Sequence, residues 1–195
     1  MKKFNIYDFD KTIYDGDSTL DFYLFCVIRR PYLIFIFPYT CVFFILYKLG
    51  IVQKKKFKEK FFVFLKFVKN IDKLVDLFWD SHFKKIKTWF LNDKKENKII
   101  ISASPEFLLK NICDRLKIDE LIASIVDKNT GKFISENCYG EQKLIRLNEK
   151  CSEYIIDNFY SDSKSDIYLA KISRNSYLVN KNNITKWDIT RKDVN

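Results

Sequence analysis

Two aspartates near the N-terminus have a spacing that could serve phosphoryl chemistry. Asp8 and Asp10 follow the short run 4–6, in which Phe4 and Ile6 are apolar, and this pattern predicts a buried strand that runs out into a polar loop. Side chains two positions apart on an extended backbone leave the same face, so the two carboxylates would lie close together and repel each other. Mg²⁺ prefers carboxylate and water oxygens, and an ionised aspartate can itself attack phosphorus. The pair alone fits a solvated acidic turn as well, so its meaning depends on the rest of the chain.

Three later stretches contain residues that could complete such a site. An apolar run, 99–101, ends in the hydroxyl residues 102–104, and Lys143 stands at the start of a segment with helical character. A third run ends in Asp162 and Asp166, four positions apart. The carboxyl ends of parallel strands meet at one edge of a sheet, so side chains distant in sequence can converge there.

In this order, the four stretches resemble the four motifs of the haloacid dehalogenase superfamily of phosphohydrolases. The sequences Ser-Ala-Ser-Pro-Glu-Phe, Tyr-Gly-Glu-Gln-Lys and Tyr-Ser-Asp-Ser-Lys-Ser-Asp are similar to those of subfamily IB. That branch contains the phosphoserine phosphatases and the phosphatidylglycerophosphatase C type. The resemblance covers roughly residues 3–180.

The resemblance implies a role for each matching residue. Asp8 would be the nucleophile that forms an aspartyl-phosphate, and Asp10 would be the general acid and then the base. Lys143 would neutralise the phosphoryl charge, and Ser102 would bind a phosphoryl oxygen. For these two residues the alternatives are a solvated helix lysine and a strand-end cap.

The resemblance also implies a Mg²⁺ site. Its ligands would be Asp8, the backbone carbonyl of Asp10, Asp162 and Asp166, although Asp166 could instead cap the next helix. Thr12 is assigned to the substrate-binding side, where it is expected to order the loop more than to touch the substrate.

Alternating strands and helices predict an α/β fold, with a Rossmann-like, mainly parallel sheet flanked by helices and an inserted α-helical cap. The catalytic core would comprise residues 1–19 and 98–195, and the cap residues 20–97. The predicted core strands are 3–9, 98–103, 121–126, 154–160 and 176–179, and the predicted core helices are 105–116, 141–149 and 166–172. From residue 180 we expect a polar tail that is ordered at first and frayed towards its end, with Trp187 as its only large anchor.

The inserted segment differs in composition from the rest of the chain. Residues 32–47 are apolar and uncharged, residues 53–69 read as a basic amphipathic helix, and residues 71–90 read as a further helix. The first stretch predicts either an interfacial hairpin or a buried cap helix. Peripheral membrane contact through residues 30–69 and ordinary packing of the cap both stay open.

Composition excludes several classes of protein. The chain has 195 residues, 47% of them hydrophobic, which indicates a folded domain. The net charge of +10 is compatible with phosphorylated or lipid partners, and no nucleic-acid recognition module is visible. Five scattered cysteines and one histidine predict free thiols and no zinc site.

No signal peptide is recognised before the first motif, so we expect a cytoplasmic core. This core would contact the inner membrane face if the insert binds lipid, and we expect no obligate protein partner.

Three functions are compatible with the sequence. The first is a Mg²⁺-dependent phosphomonoester hydrolase acting on a lipid phosphate such as phosphatidylglycerophosphate. The second is a phosphatase of a small soluble metabolite, and the third is a binding module with a vestigial site. The glutamate and arginine set by which phosphoserine phosphatases hold their substrate is not recognisable, because Arg29 and Arg30 are the only arginines of the insert. This counts against phosphoserine.

Overall fold

The computed structural model describes residues 2–189, which form a six-stranded sheet with helices on both faces. The strands are β1 (Lys2–Tyr7), β2 (Lys98–Pro105), β3 (Glu120–Ser124), β4 (Tyr154–Ser161), β5 (Ser173–Asn180) and β6 (Asn183–Lys186). Their order is β3-β2-β1-β4-β5-β6. All neighbours are parallel except β5 and β6. The predicted α/β class with a mainly parallel sheet is confirmed.

The sheet is buried on both faces. Successive side chains of β1 point to opposite faces of the sheet and so belong to two different cores. Phe4 and Ile6 join Leu147 and Leu169 in one core, whereas Tyr7 belongs to the other. The helices that follow β2 are α6 (Glu106–Arg115), α7 (Glu141–Lys150) and α8 (Ile167–Ile172). Helices α7 and α8 therefore pack on the face opposite to α6.

The segment between β1 and β2 is helical and shares the core of α6. It contains α1 (Ser18–Arg29), α2 (Phe37–Lys48), α3 (Lys54–Phe61), α4 (Ile71–His82) and α5 (Thr88–Leu91). Shorter 3₁₀ turns lie at Pro31–Ile36, Phe62–Phe67 and Phe83–Lys85. Its centre is aromatic: Trp79 is fully buried, and its indole N–H donates to the carbonyl of Leu108 on α6 at 2.7 Å. This bond joins the inserted helices to α6, which packs on the sheet.

Two long helices predicted within the insert are interrupted. The predicted helix 53–69 changes to a 3₁₀ turn after Phe61, where three of the next four residues, Phe62, Phe64 and Leu65, are buried. The predicted helix 71–90 ends as an α-helix at His82, because Ile86 is extended and pairs with Tyr14. In both places tertiary packing overrides the helical spacing of the side chains.

The apolar stretch 32–47 is not a buried helix. Within residues 2–189, one helical segment, Pro31–Lys48, is long and apolar enough to cross a membrane by length and composition alone. Only 11% of that segment is buried. Phe35, for example, is 82% exposed. The alternative of a buried cap helix is therefore wrong.

The described part of the predicted tail is ordered, with Trp187 as its anchor, and it contains a strand that the sequence analysis did not predict. Residues 183–186 form β6 after a turn in which Lys181 has a φ of 54°. Trp187 is 5% exposed and packs in the core of α7 and α8. The hairpin of β5 and β6 was not predicted, because the polar residues of its turn also suit an irregular tail. Residues 190–195 of the predicted tail lie outside the described range.

Several boundaries also differ from prediction. Strand β1 ends at Tyr7 rather than at residue 9, and β5 begins at Ser173 rather than at residue 176. Helix α6 starts at Glu106, with Pro105 as its N-cap and no side-chain capping bond. Ser104, which precedes this N-cap, does not cap the helix, because its hydroxyl has another partner, described below.

Candidate active site

A cavity of about 460 Å³ lies where β1, β2 and β4 end, between the sheet and the inserted helices. The carboxyl ends of parallel strands leave such a crevice because the connections diverge there. Its polar lining includes Asp8, Asp10, Asp17, Ser102, Ser104, Lys143, Asp162, Ser163 and Asp166. Of the residues assigned from the sequence, Thr12 alone is absent from this lining.

Asp8 is fixed at the end of β1 by backbone and side-chain bonds. Its amide donates to the carbonyl of Tyr160 at 2.9 Å, and its Oδ2 accepts a bond from the Thr12 hydroxyl at 3.2 Å. The same hydroxyl accepts a bond from the amide of Asp162 at 2.9 Å. Thr12 is completely buried, so it ties the two acidic loops together from behind. This fits the loop-ordering role and does not place Thr12 against a substrate.

Lys143 is a buried cation between two carboxylates. Its Nζ lies 2.7 Å from Asp8 Oδ1 and 2.7 Å from Asp166 Oδ2, and the residue is 2% exposed. Gly140 precedes α7 with a φ of 59°, a conformation open to glycine, and so starts the helix that holds the lysine here. The alternative of a solvated helix lysine is therefore wrong.

Asp166 has one satisfied and one unsatisfied oxygen. Its Oδ2 accepts bonds from Lys143 and from the hydroxyl of Ser161 at 2.7 Å. Its Oδ1 is buried and has no hydrogen-bond partner within residues 2–189. Asp166 precedes α8 without forming a side-chain capping bond, so helix capping does not explain this carboxylate.

Burial and repulsion from neighbouring carboxylates raise the pKa values of Asp8 and Asp162. Burial raises the pKa of Asp8 to about 7; the Lys143 ammonium opposes this rise, while Asp166 and Asp162 add to it. The pKa of Asp162 is also raised, chiefly by burial. Negative charge is therefore concentrated at the strand ends beyond what one ammonium balances.

These residues fit a hard divalent cation. Within the described part of the chain, no three carboxylate, imidazole or thiol groups already stand at metal-binding distances. However, Asp8, Asp162 and Asp166 line one cavity, and Asp166 offers a buried oxygen without a partner. Oxygen donors of this kind, with room for water, suit Mg²⁺.

Asp10 is held separately from the Asp8–Lys143 cluster. Its Oδ1 accepts a bond from the amide of Ser18 at 2.6 Å, and its Oδ2 accepts one from the Ser104 hydroxyl at 2.5 Å. Burial raises the pKa of Asp10 to about 6, with a further rise from Asp17, although both hydrogen bonds lower it. A carboxyl group with such a pKa can give and take a proton near neutrality.

Two serines of β2 complete the polar wall. Ser102 is 1% exposed, and its hydroxyl accepts a bond from the amide of Ser104 at 3.1 Å. The Ser104 hydroxyl also lies 2.9 Å from that of Thr19 on α1. Ser104 therefore connects Asp10 to the inserted segment, a role that sequence reasoning left unassigned.

The opposite wall comes from the inserted helices and was missed from the sequence. Lys54, Phe57, Lys58 and Phe61 of α3 line the cavity, together with Phe44 of α2, Leu20 and Tyr139. The four α3 residues follow the spacing i, i+3, i+4, i+7, which places them on one helix face but does not by itself indicate what that face contacts.

The two arginines of the insert do not line the cavity. Arg29 stacks over the ring of Phe25, 3.6 Å from its centre, and Arg30 donates to the carbonyl of Lys69. His82 stacks on Phe78 and is also absent from the cavity lining. All five cysteines are free, as expected, and Cys26, Cys113 and Cys138 are buried.

Several solved structures share this fold. A crystal structure of a protein of unknown function from Bordetella pertussis Tohama I aligns with a TM-score of 0.74 and 16% identity, over 90% of this chain and 89% of that one. A HAD family hydrolase from Salmonella enterica serovar Typhi aligns with a TM-score of 0.61 and 12% identity, over 88% of this chain and 60% of that one. A substrate-bound phosphoserine phosphatase aligns with a TM-score of 0.55 and 16% identity, over 90% and 85%.

Sequence comparison gives the family directly. A search of curated protein sequences found no significant match to this chain. The model of the haloacid dehalogenase-like hydrolases, however, matches residues 6–171, which include Asp8, Ser102, Lys143, Asp162 and Asp166. This chain belongs to the haloacid dehalogenase-like hydrolase family.

Proposed function

We propose that this hydrolase is a Mg²⁺-dependent phosphomonoester phosphatase that works through an aspartyl-phosphate on Asp8. The observation that carries the proposal is the contact of Lys143 with both Asp8 and Asp166, at 2.7 Å each, beside the separately held Asp10. A nucleophile, a proton carrier and a cation then border one cavity.

In the first step a carboxylate oxygen of Asp8 attacks phosphorus, and the bond from phosphorus to the ester oxygen breaks. Asp10, protonated, gives its proton to the departing oxygen, so an alcohol leaves. In the second step Asp10 takes a proton from water, whose oxygen attacks the aspartyl-phosphate. Inorganic phosphate leaves and the Asp8 carboxylate is restored.

The three neighbouring carboxylates and the phosphate of the substrate are all negatively charged, and together they require a bound cation. The carboxylates of Asp8, Asp162 and Asp166 and the backbone carbonyl of Asp10 would hold Mg²⁺. When bound, the metal neutralises the charge of the transferring phosphoryl group. Lys143 orients Asp8 and offers positive charge to the same group, and the Ser102 hydroxyl binds a phosphoryl oxygen.

Residues 20–97 would act as the cap over a core made of residues 1–19 and 98–195. Apolar side chains of the insert, including Phe44, Phe57 and Phe61, line the leaving-group side of the cavity. Phe44 is 45% exposed and lies on the same helix as the exposed apolar residues Val42 and Ile45. These exposed apolar side chains beside the cavity offer an acyl chain a surface to pack on, which supports a lipid phosphate such as phosphatidylglycerophosphate as the substrate.

The same surface supports peripheral contact with a membrane through residues 30–69, on the cytoplasmic side. Phe35 and Leu49 are 82% and 67% exposed, and the basic helix α3 lies beside α2. Aromatic side chains and lysines together suit the surface of an anionic bilayer. A small soluble phosphate is the alternative substrate if this face does not bind lipid.

Phosphate release tests the proposed function. The panel contains phosphatidylglycerophosphate, lysophosphatidate, phosphoserine, sugar phosphates and an aryl phosphate, each with Mg²⁺ or with EDTA. We expect Mg²⁺-dependent turnover, loss of at least about 1,000-fold in Asp8→Asn, and an acid-stable phosphoprotein in the wild type alone. Turnover that survives Asp8→Asn contradicts the mechanism, and turnover of soluble esters alone contradicts the lipid substrate.

Cosedimentation with anionic liposomes tests the membrane contact. We expect wild-type protein to sediment with liposomes that contain phosphatidylglycerol, and Phe35→Glu to lose most of this binding. Ile172→Glu is the matched control, because Ile172 is 47% exposed at the end of α8, on the other face of the sheet. Equal binding by both variants would contradict membrane contact through the turn Pro31–Ile36 that leads into α2.

A further inference from the structure

We propose that Lys54 and Lys58 bind a second anionic group on the substrate, separate from the phosphate that is hydrolysed. Both lysines lie on the α3 wall of the cavity, opposite the acidic strand ends. The inference deepens the proposed function, because it assumes that a phosphate monoester occupies the Asp8 side. It implies that the leaving group of the substrate itself has a negative charge.

Neither lysine is neutralised by the protein. Within residues 2–189, no carboxylate forms an ion pair with Lys54 or Lys58, whereas Lys143 already contacts two aspartates. Lys58 Nζ instead donates to the carbonyl of Ala103 at 2.8 Å and to Asn137 Oδ1 at 3.2 Å. An ammonium has three N–H donors, so one remains for a ligand in the cavity.

Lys54 is placed by an aromatic ring. Its Nζ lies 3.2 Å from the centre of the Tyr139 ring, and both residues line the cavity. This contact fixes the ammonium without cancelling its charge. The two lysines are four positions apart on α3, so their side chains share one helix face.

Helix stability does not account for the position of Lys54. It is the first residue of α3, and the first turn contains no acidic residue. Positive charge is unfavourable at a helix N-terminus, because the backbone dipole is itself positive there. The position of Lys54 is therefore better explained by the cavity that it lines than by a contribution to the stability of α3.

The electrostatic surroundings of Lys58 favour an anionic ligand beside it. Burial lowers the pKa of Lys58 to about 8, and the ammonium groups of Lys54 and Lys143 lower it further. Asp10 and Asp17 act in the opposite direction without offsetting burial. A ligand anion beside Lys58 would supply the charge that these aspartates do not.

A binding experiment without turnover tests the inference. In the Asp8→Asn background with Mg²⁺ at pH 7, calorimetry would compare the bisphosphates of ethane-, propane- and butanediol with the monophosphates of the same diols. Carboxyalkyl phosphates of matching length show whether the second anion is a carboxylate. We expect one bisphosphate or carboxyalkyl phosphate to bind at least tenfold more tightly than its monophosphate.

Substitutions on α3 distinguish binding at Lys54 and Lys58 from a general attraction of anions to a basic helix. Lys58→Met should reduce the preference to below threefold, and Lys54→Met should reduce it at least threefold. Lys56→Met is the matched control on the same helix; Lys56 is exposed and absent from the cavity lining, so the preference should persist. If Lys58→Met does not fold, Lys54→Met decides the question. No preference before mutation, or a preference that both variants keep, overturns the inference.

The outcome is separable from that of the proposed function. Hydrolysis of phosphomonoesters by the wild type without a preference for a second anion refutes the inference alone. A preference that depends on the two lysines, in a protein that hydrolyses no ester, refutes the proposed function and leaves the anion site standing.

Discussion

Replacing Lys143 by methionine should destabilise the metal-free protein severely. Lys143 is 2% exposed, and its ammonium lies 2.7 Å from both Asp8 and Asp166. Methionine fills a similar volume, so the change removes charge with little change in packing. Two buried carboxylates then lose their shared cation. Removing one partner of a buried ion pair costs about 3–5 kcal/mol, and we expect a loss in this range at pH 7.5.

The loss should be smaller in acid. The Asp8 carboxyl already has a pKa raised to about 7, first by burial, and loss of the Lys143 ammonium raises it further. A folded-state pKa above the unfolded value means that the folded protein binds more protons, so stability falls as pH rises between the two values. At pH 5.5 the carboxyl in the variant is protonated and part of the lost stability returns.

Urea unfolding with EDTA, at pH 7.5 and 5.5, measures both effects. Lys150→Met is the matched control on the same helix. Lys150 pairs with Glu120, but the two side chains are 50% and 41% exposed, so the control should lose no more than about 1 kcal/mol. If Lys143→Met loses as little as the control, or loses more at pH 5.5, our account of the buried cluster is wrong.

Three further outcomes are expected. Ser104→Ala removes the hydroxyl that donates to Asp10, so the pKa of Asp10 should rise and the pH–rate profile should move to higher pH; an unmoved profile would exclude Asp10 as the proton carrier. Gly131→Ala should cost at least about 2 kcal/mol in urea unfolding, because a Cβ there would strike the backbone of the inserted helices at a φ of 72°. Gly50→Ala, with a φ of 74° but open space, should cost only about 1 kcal/mol, and equal losses would argue against the clash. The preference for a second anion should be present below pH 8 and fade as pH rises through about 8, where free Lys58 loses its proton, and a constant preference would exclude that lysine as its source.

The sheet and the acidic side of the site could be predicted because local pattern determines both. Asp8 and Asp162 follow apolar runs, and parallel strands bring such ends together. Lys143 follows Gly140 at a helix start, which sequence can recognise. The roles of these residues stay predictions, since geometry alone does not demonstrate chemistry.

The wall formed by the insert could not be predicted, because its side chains have more than one plausible environment. The spacing of Lys54 and Lys58 suits a solvated helix, a lipid surface and a cavity wall equally. The contacts of Lys58 with Ala103 and Asn137, across 45 and 79 positions, decide among these. In the same way, Trp187 looked like an isolated anchor until β6 placed it in a core.

The pairing of Tyr14 with Ile86 has a consequence for how the insert can vary. The backbone amide of Asp15 donates to Lys85 at 2.8 Å, and that of Lys87 donates to Ile13 at 2.8 Å, so the segment leaves and re-enters the core at adjacent points. The residues between these two points therefore form one long loop whose ends are held together by backbone hydrogen bonds. Doubling the length of such a loop costs only about 0.6 kcal/mol in closure entropy. Added or removed length in the exposed turns of this segment therefore costs little closure entropy, while its buried aromatic core and the strands that hold the reacting groups stay in place.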